Sequence, residues 1–147
     1  MITEFNEPMQ VFDSAERDAL RREWLALVEL AVWGGAQSQR IGALPRLRKR
    51  VAELGERLAA IDAPRGWIPR PRERLKSALA SVLAAREALA QCAQAIGALD
   101  PVGADATREA LIAALQRIES RAEPRMTAAA ERWARRLEAL NVANIED

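Results

Sequence analysis

Glu29 is the only charged residue in the run WLALVELAVW, from Trp24 to Trp33. A carboxylate enclosed by apolar side chains has its ionised form disfavoured, so its pKa rises and it can hold or move a proton near neutral pH. Buried charges persist mainly when they are paired. Arg86, at a heptad position between Leu79 and Ala93, is the expected partner, giving a buried Glu29–Arg86 pair. The plainer reading makes Glu29 the polar edge of an amphipathic helix.

Cys92 is the other group with intrinsic reactivity. As the single cysteine it excludes an intramolecular disulfide and any cysteine-cluster metal site. It falls on the apolar face of its helix with no flanking base, which predicts a small buried hydrophobe rather than a reactive thiol.

Histidine is absent from the chain. Its absence removes imidazole acid/base catalysis, Ser/His and Cys/His nucleophile pairs, the HExxH zinc motif and the Glu-x-x-His ligands of di-iron bundles. No GxxxxGK[ST] or GxGxxG loop occurs, and Gly34-Gly35 alone does not cradle a phosphate. The expectation is a protein that is not an enzyme and holds no cofactor or metal.

Charge is distributed unevenly behind a net value of +1. Residues 1–20 carry one arginine against five acids, whereas residues 40–76 carry eleven basic groups against four acids. Within that basic stretch, RGWIPRPRERLK (65–76) sets Trp67 among Arg65, Arg70, Arg72 and Arg74, with prolines stiffening the backbone. Tryptophan and arginine are the residue types that dominate binding hot spots. Trp67 can equally plug the end of the core while the arginines stay solvated. Arg46, Lys49 and Arg50 extend the positive charge along the preceding helix, outside its apolar seam. These eight residues (Arg65, Trp67, Arg70, Arg72, Arg74, Arg46, Lys49, Arg50) are the candidate partner-binding surface. A nucleic-acid surface is the alternative, although Glu53 and Glu56 interrupt it and no helix-turn-helix pattern is present.

The elements that position these residues are helices. Leu44, Leu47, Val51, Leu54, Leu58 and Ile61 recur at spacings of three and four, and Leu75, Val82, Leu89 and Ile96 at seven. A third stripe, from Leu111 through Ile118, Met126 and Trp133 to Leu140, follows an eleven-residue period through Pro124. The chain of 147 residues has two phenylalanines, four tryptophans and no tyrosine. A core of alanine and leucine suits helices better than sheets.

The prediction is an all-α antiparallel four-helix bundle, with helices over 14–33, 36–62, 71–99 and 105–141. Pro45 and Pro124 are candidate kinks, and Gly34-Gly35 is the expected stop of the first helix; in the alternative arrangement residues 36–43 continue the first helix and Pro45 opens the second. The pattern makes one domain over 1–147, with an arm over 1–12 and a frayed tail over 142–147. The first helix, apolar nearly all round in its second half, should be the most buried. The fourth, at about 55 Å, should overhang its neighbours, so that Trp133, Leu137 and Leu140 call for the arm or a second copy of the chain as cover.

No run approaches the roughly 20 apolar residues needed to span a bilayer, and the start lacks the basic and apolar regions of a secretory signal. The expectation is therefore a cytoplasmic chain with no membrane partner. The reading these residues favour is a non-enzymatic bundle that binds another protein. By fold-level analogy this is the build of small bacterial adaptors, secretion chaperones and toxin-immunity proteins. A small-ligand pocket between helices, using Glu29 and Arg86, is the remaining alternative.

Overall fold

The computed structural model describes residues 10–38, 44–61, 70–99 and 106–142. These form four helices, α1 (Ser14–Ser38), α2 (Leu44–Ile61), α3 (Pro71–Gly97) and α4 (Ala106–Val142), and no strand among the described residues. Neighbours in the ring are α1–α2, α2–α3, α3–α4 and α4–α1, so α1 and α3 stand at opposite corners. Ion pairs Glu16–Arg125 and Glu23–Arg117, both at 2.6 Å, run in opposite directions along α1 and α4. The predicted four-helix bundle is thus the observed fold.

The stripes are the core. Leu47, Val51, Leu54, Leu58 and Ile61 are buried on α2, as are Leu75, Val82, Leu89 and Ile96 on α3. On α4 the buried line is Leu111, Leu115, Ile118, Ala122, Met126, Ala130, Trp133 and Leu140. That helix runs unbroken past Pro124. Trp133 and Leu140 are covered within the single chain, at 1% and 5% exposure, so the overhang needs no second copy.

Two helix boundaries depart from the first arrangement expected around residues 34–45 and follow its alternative. Gly34-Gly35 does not stop α1, which continues to Ser38, and α2 begins at Leu44 rather than at residue 36. Pro45 therefore sits in a first turn, where its missing N–H costs no helix bond, and is not an internal kink. Two helical glycines cost about 2 kcal/mol against alanine. Arg48 of α2 works in the other direction, donating to the carbonyl oxygens of Ala31 at 3.4 Å and Val32 at 3.2 Å. Each of those carbonyls has a second lone pair free for it.

At its other end α1 is closed by Asp13 and Glu16. Asp13 N–H donates to Glu16 Oε1 at 3.1 Å, and Glu16 N–H donates to Asp13 Oδ1 at 2.8 Å. This is a reciprocal capping box. The Glu16 N–H holds the Asp13 carboxyl below its ordinary 3.8. The cap therefore contributes fully above that value and fades as the pH falls below it. Val11 and Phe12, the described end of the arm, are buried in the core. Residues 1–9 and 143–147 lie outside the described residues.

α1 is not the most buried helix. Leu20, Leu27 and Ala31 face inward, but Leu25 and Val32 are 47% and 48% exposed and Glu29 is exposed between them. An outward face carries whatever residues the sequence puts there, and here it carries leucine and valine. α1 meets α2 along a seam between adjacent corners of the ring. Its main lock is Trp24, whose indole N–H donates to the Val51 carbonyl at 3.1 Å and whose ring lies against Gly55.

A Cβ at position 55 would overlap the Trp24 ring, coming within 2.6 Å of Nε1. Overpacking costs about 1–3 kcal/mol, against about 1 kcal/mol gained from alanine's better helix propensity. Gly55→Ala is therefore expected to lower stability by about 1 kcal/mol, measured by urea denaturation. A stabilised variant would show that the indole swings clear at no cost.

Candidate partner-binding groove

Beside the Trp24–Gly55 contact the α1–α2 seam opens into a groove of about 410 Å³. Phe12, Leu20, Trp24, Leu25, Gly55 and Leu58 supply its apolar lining, and Arg17, Asp18 and Arg21 stand along the α1 edge. The volume is that of a binding cleft, about 300–1,000 Å³. The helical period explains the arrangement. Leu20, Leu27 and Ala31 turn inward, which leaves Trp24 half-buried and puts Arg21 and Leu25 at the rim.

A second groove, of about 640 Å³, lies between α2 and α3. Arg46, Lys49 and Arg50 line it together with Glu87, Gln91, Gln94, Ala95 and Ala98. Three of the expected basic residues therefore meet on one surface. Arg50 is already engaged, its Nη1 donating to Glu53 Oε2 at 3.1 Å and to Gln91 Oε1 at 3.0 Å.

The remaining candidates do not join them. Arg70 is the exposed N-cap of α3, and Arg72 and Arg74 are half-buried in its first turn. Arg72 and Gln94 are 22 residues apart on one helix, which is about 33 Å at 1.5 Å per residue. The antiparallel course sends the two basic groups to opposite ends of the bundle. Arg65 and Trp67 lie outside the described residues.

The Glu29–Arg86 pair does not form. Those residues belong to α1 and α3, which are diagonal, and Glu29 faces solvent. Arg86 turns to the adjacent helix α4, where Nε and Nη2 reach Glu123 Oε1 at 3.1 and 3.0 Å. Thr127 Oγ1 donates to the same oxygen at 3.1 Å. Among the described residues no group of three or more histidine, cysteine or acidic side chains converges as metal ligands.

Cys92 is buried as expected. Burial, and secondarily the Glu53 carboxylate, push its thiol from an ordinary 9.0 up to about 12, with Arg50 opposing. It is inert where a nucleophile would need a thiolate.

Sequence reasoning missed Trp24, Leu25 and Gly55 as a unit. Two signals could have found it. A lone glycine inside the Leu44–Ile61 ladder calls for a packing reason. Leu25 and Val32 are also spaced seven apart around Glu29. If Glu29 is the polar edge, its heptad neighbours face outward with it.

Two measurements check these assignments. The Arg86–Glu123 pair is more than a third exposed on both sides. A double-mutant cycle on Arg86→Met and Glu123→Gln should give a coupling of about 0.5–1 kcal/mol. The same cycle on Arg86 and Glu29→Gln should give none.

The second measurement uses the thiol. Between about pH 9 and 12 the unfolded thiol ionises while the folded one keeps its proton. The unfolded state then binds fewer protons, so stability falls as pH rises, by at most about 1.4 kcal/mol per pH unit. With no tyrosine in the chain, Cys92→Ala should visibly flatten that alkaline limb in urea titrations; an unchanged limb would place the thiol in water.

Among the described residues no helix is long and apolar enough to cross a membrane. Compared with known protein families, curated proteins and solved structures, the chain matches none.

Proposed function

We propose that this chain is a non-catalytic binding protein that receives an amphipathic helix of another protein in the α1–α2 groove. The observation that carries the reading is the exposure of Leu25, 47%, beside a cleft floored by Trp24 and Gly55. Val32, past the exposed Glu29, adds a second apolar anchor two turns along α1, about 10 Å away. A long line of this kind matches the anchors of a helix, spaced at three, four and seven residues. A compact ligand would fill only one end of it.

Arg17 and Arg21 against Asp18 leave the rim positive. The complementary helix has an apolar face for Leu25 and Trp24 and acidic residues along the edge that meets α1. This is how an adaptor, a chaperone or a toxin-neutralising protein would work. Nucleic-acid binding is the second reading, favoured by the meeting of Arg46, Lys49 and Arg50 with Gln91 and Gln94 on one groove. Phosphate contacts of that kind weaken steeply with salt.

A photo-crosslinking residue placed at position 25 or at position 49, in cells of the source organism, separates the two. The expected result is protein adducts from position 25. The protein captured should then bind the purified chain at least tenfold more weakly after Leu25→Glu, the loss of a single anchor. Lys49→Glu should leave that binding within a factor of about two. Nuclease-sensitive adducts from position 49 alone would replace this reading with nucleic-acid binding.

A further inference from the structure

The outward face of α3 carries a leucine, Leu83, that is 48% exposed. The exposed positions around it keep a strict three–four spacing: Glu73, Lys76, Ala80, Leu83, Glu87, Ala90 and Gln94. They form one outward stripe along the solvent side of a bundle whose core already has its own stripes. We infer that it is a homodimer interface, in which α3 of one copy lies antiparallel to α3 of a second across a two-fold axis.

Register decides the pairing. An antiparallel two-fold axis passing between Ala80 and Leu83 sets Leu83 of each copy over Ala80 of the other. It also sets Lys76 of each copy opposite Glu87 of the other, and Glu73 opposite Ala90. A large side chain meets a small one twice, and opposite charges meet twice. Sliding the copies by one heptad in either direction puts Leu83 against Glu73 or against Glu87, burying a carboxylate beside a leucine. A parallel pairing sets Lys76 against Lys76 and Glu87 against Glu87, which is repulsive. Only one alignment satisfies apolar contact and charge together.

The corresponding seam on α1 does not have this property. Aligning Asp18, Arg22, Leu25, Glu29 and Val32 with a second copy in the same manner brings Leu25 onto Glu29, or Asp18 onto Glu29. The self-complementarity therefore belongs to α3 and is not a general consequence of helical spacing. Among the described residues Lys76 is paired loosely, with Glu73 at 3.9 Å and both side chains more than half exposed. Little is lost when it turns to the second copy. The strip is one helix wide, so the interface sits at the low end of specific ones, below about 1,200 Å² in total, and the dimer is correspondingly weak. It leaves α1, on the opposite corner, uncovered.

Sedimentation equilibrium over a range of concentrations reads the association, and charge exchange identifies the surface. Wild type should show a reversible monomer–dimer equilibrium. Lys76→Glu places two carboxylates opposite each other at both ends, and Glu87→Lys places two ammonium groups there. Each should weaken the dimer at least tenfold. The double variant Lys76→Glu/Glu87→Lys restores both pairs in swapped order and should return the dissociation constant to within about threefold of wild type. Circular dichroism of each variant should match wild type, since all four side chains involved are exposed. A chain monomeric at millimolar concentration, or a dimer indifferent to these exchanges, would overturn the inference. Failure of the double variant to recover would do so equally.

Discussion

The contact on which the α1–α2 seam depends is the Trp24 ring lying on the bare backbone of Gly55, tethered by its N–H to the Val51 carbonyl. Apart from Phe12, Cys92, Met126 and Trp133, the buried core is alanine, leucine, valine and isoleucine, whose short side chains let helices close on one another. α1 has fewer of these. Its inward set of Leu20, Leu27 and Ala31 is thin, and a large flat ring fills the shortfall. A ring of that size needs a gap in the opposing helix, and glycine is the residue that leaves one. The same geometry leaves a cleft beside the ring, because a seam propped on one tryptophan does not zip shut along its whole length.

Periodicity made the core legible. The α2, α3 and α4 stripes are buried as their spacings imply, and the course of α4 through Pro124 follows from the unbroken phase on both sides of the proline. Boundaries and partners were less legible. Gly34-Gly35 reads as a stop because glycine usually ends helices by adopting a left-handed turn. Nothing in the local sequence says that the helix continues through them to Ser38, with Arg48 of the next helix donating to the Ala31 and Val32 carbonyls beside them. The exposure of Leu25 and Val32 was hidden for a related reason. An apolar run looks buried until the number of helices available to cover it is known, and in a ring of four each helix has an outer face.

Charge shows the limit of reading along the chain. Residues 40–76 look like one basic region, yet a chain that reverses direction between α2 and α3 places the start of α2 beside the end of α3. Arg46, Lys49 and Arg50 therefore keep company with Gln91 and Gln94, while Arg70, Arg72 and Arg74 stand at the far end. The Glu29–Arg86 pairing failed on the same ground. Heptad positions say that a residue points toward a neighbour, but ring order decides which neighbour. Glu123, on the helix next to α3, is the carboxylate within reach.

Ring order also separates two of the outer faces that carry exposed apolar side chains. Leu25 and Val32 belong to α1, Leu83 to α3, and the two helices are diagonal. A surface buried on one corner leaves the other open, with the core between them. The proposed pairing through α3 would therefore not compete with the proposed occupancy of the α1–α2 groove, and it would turn two grooves outward on opposite sides of an assembly with a two-fold axis. A partner carrying two suitable helices could gain by engaging both only if its linker reached around both bundles, since effective concentration vanishes when the span cannot be bridged. Each bundle adds at least one helix diameter, about 10 Å, between its α3 and α1. The geometry therefore favours separate partners for the two grooves, one for each copy.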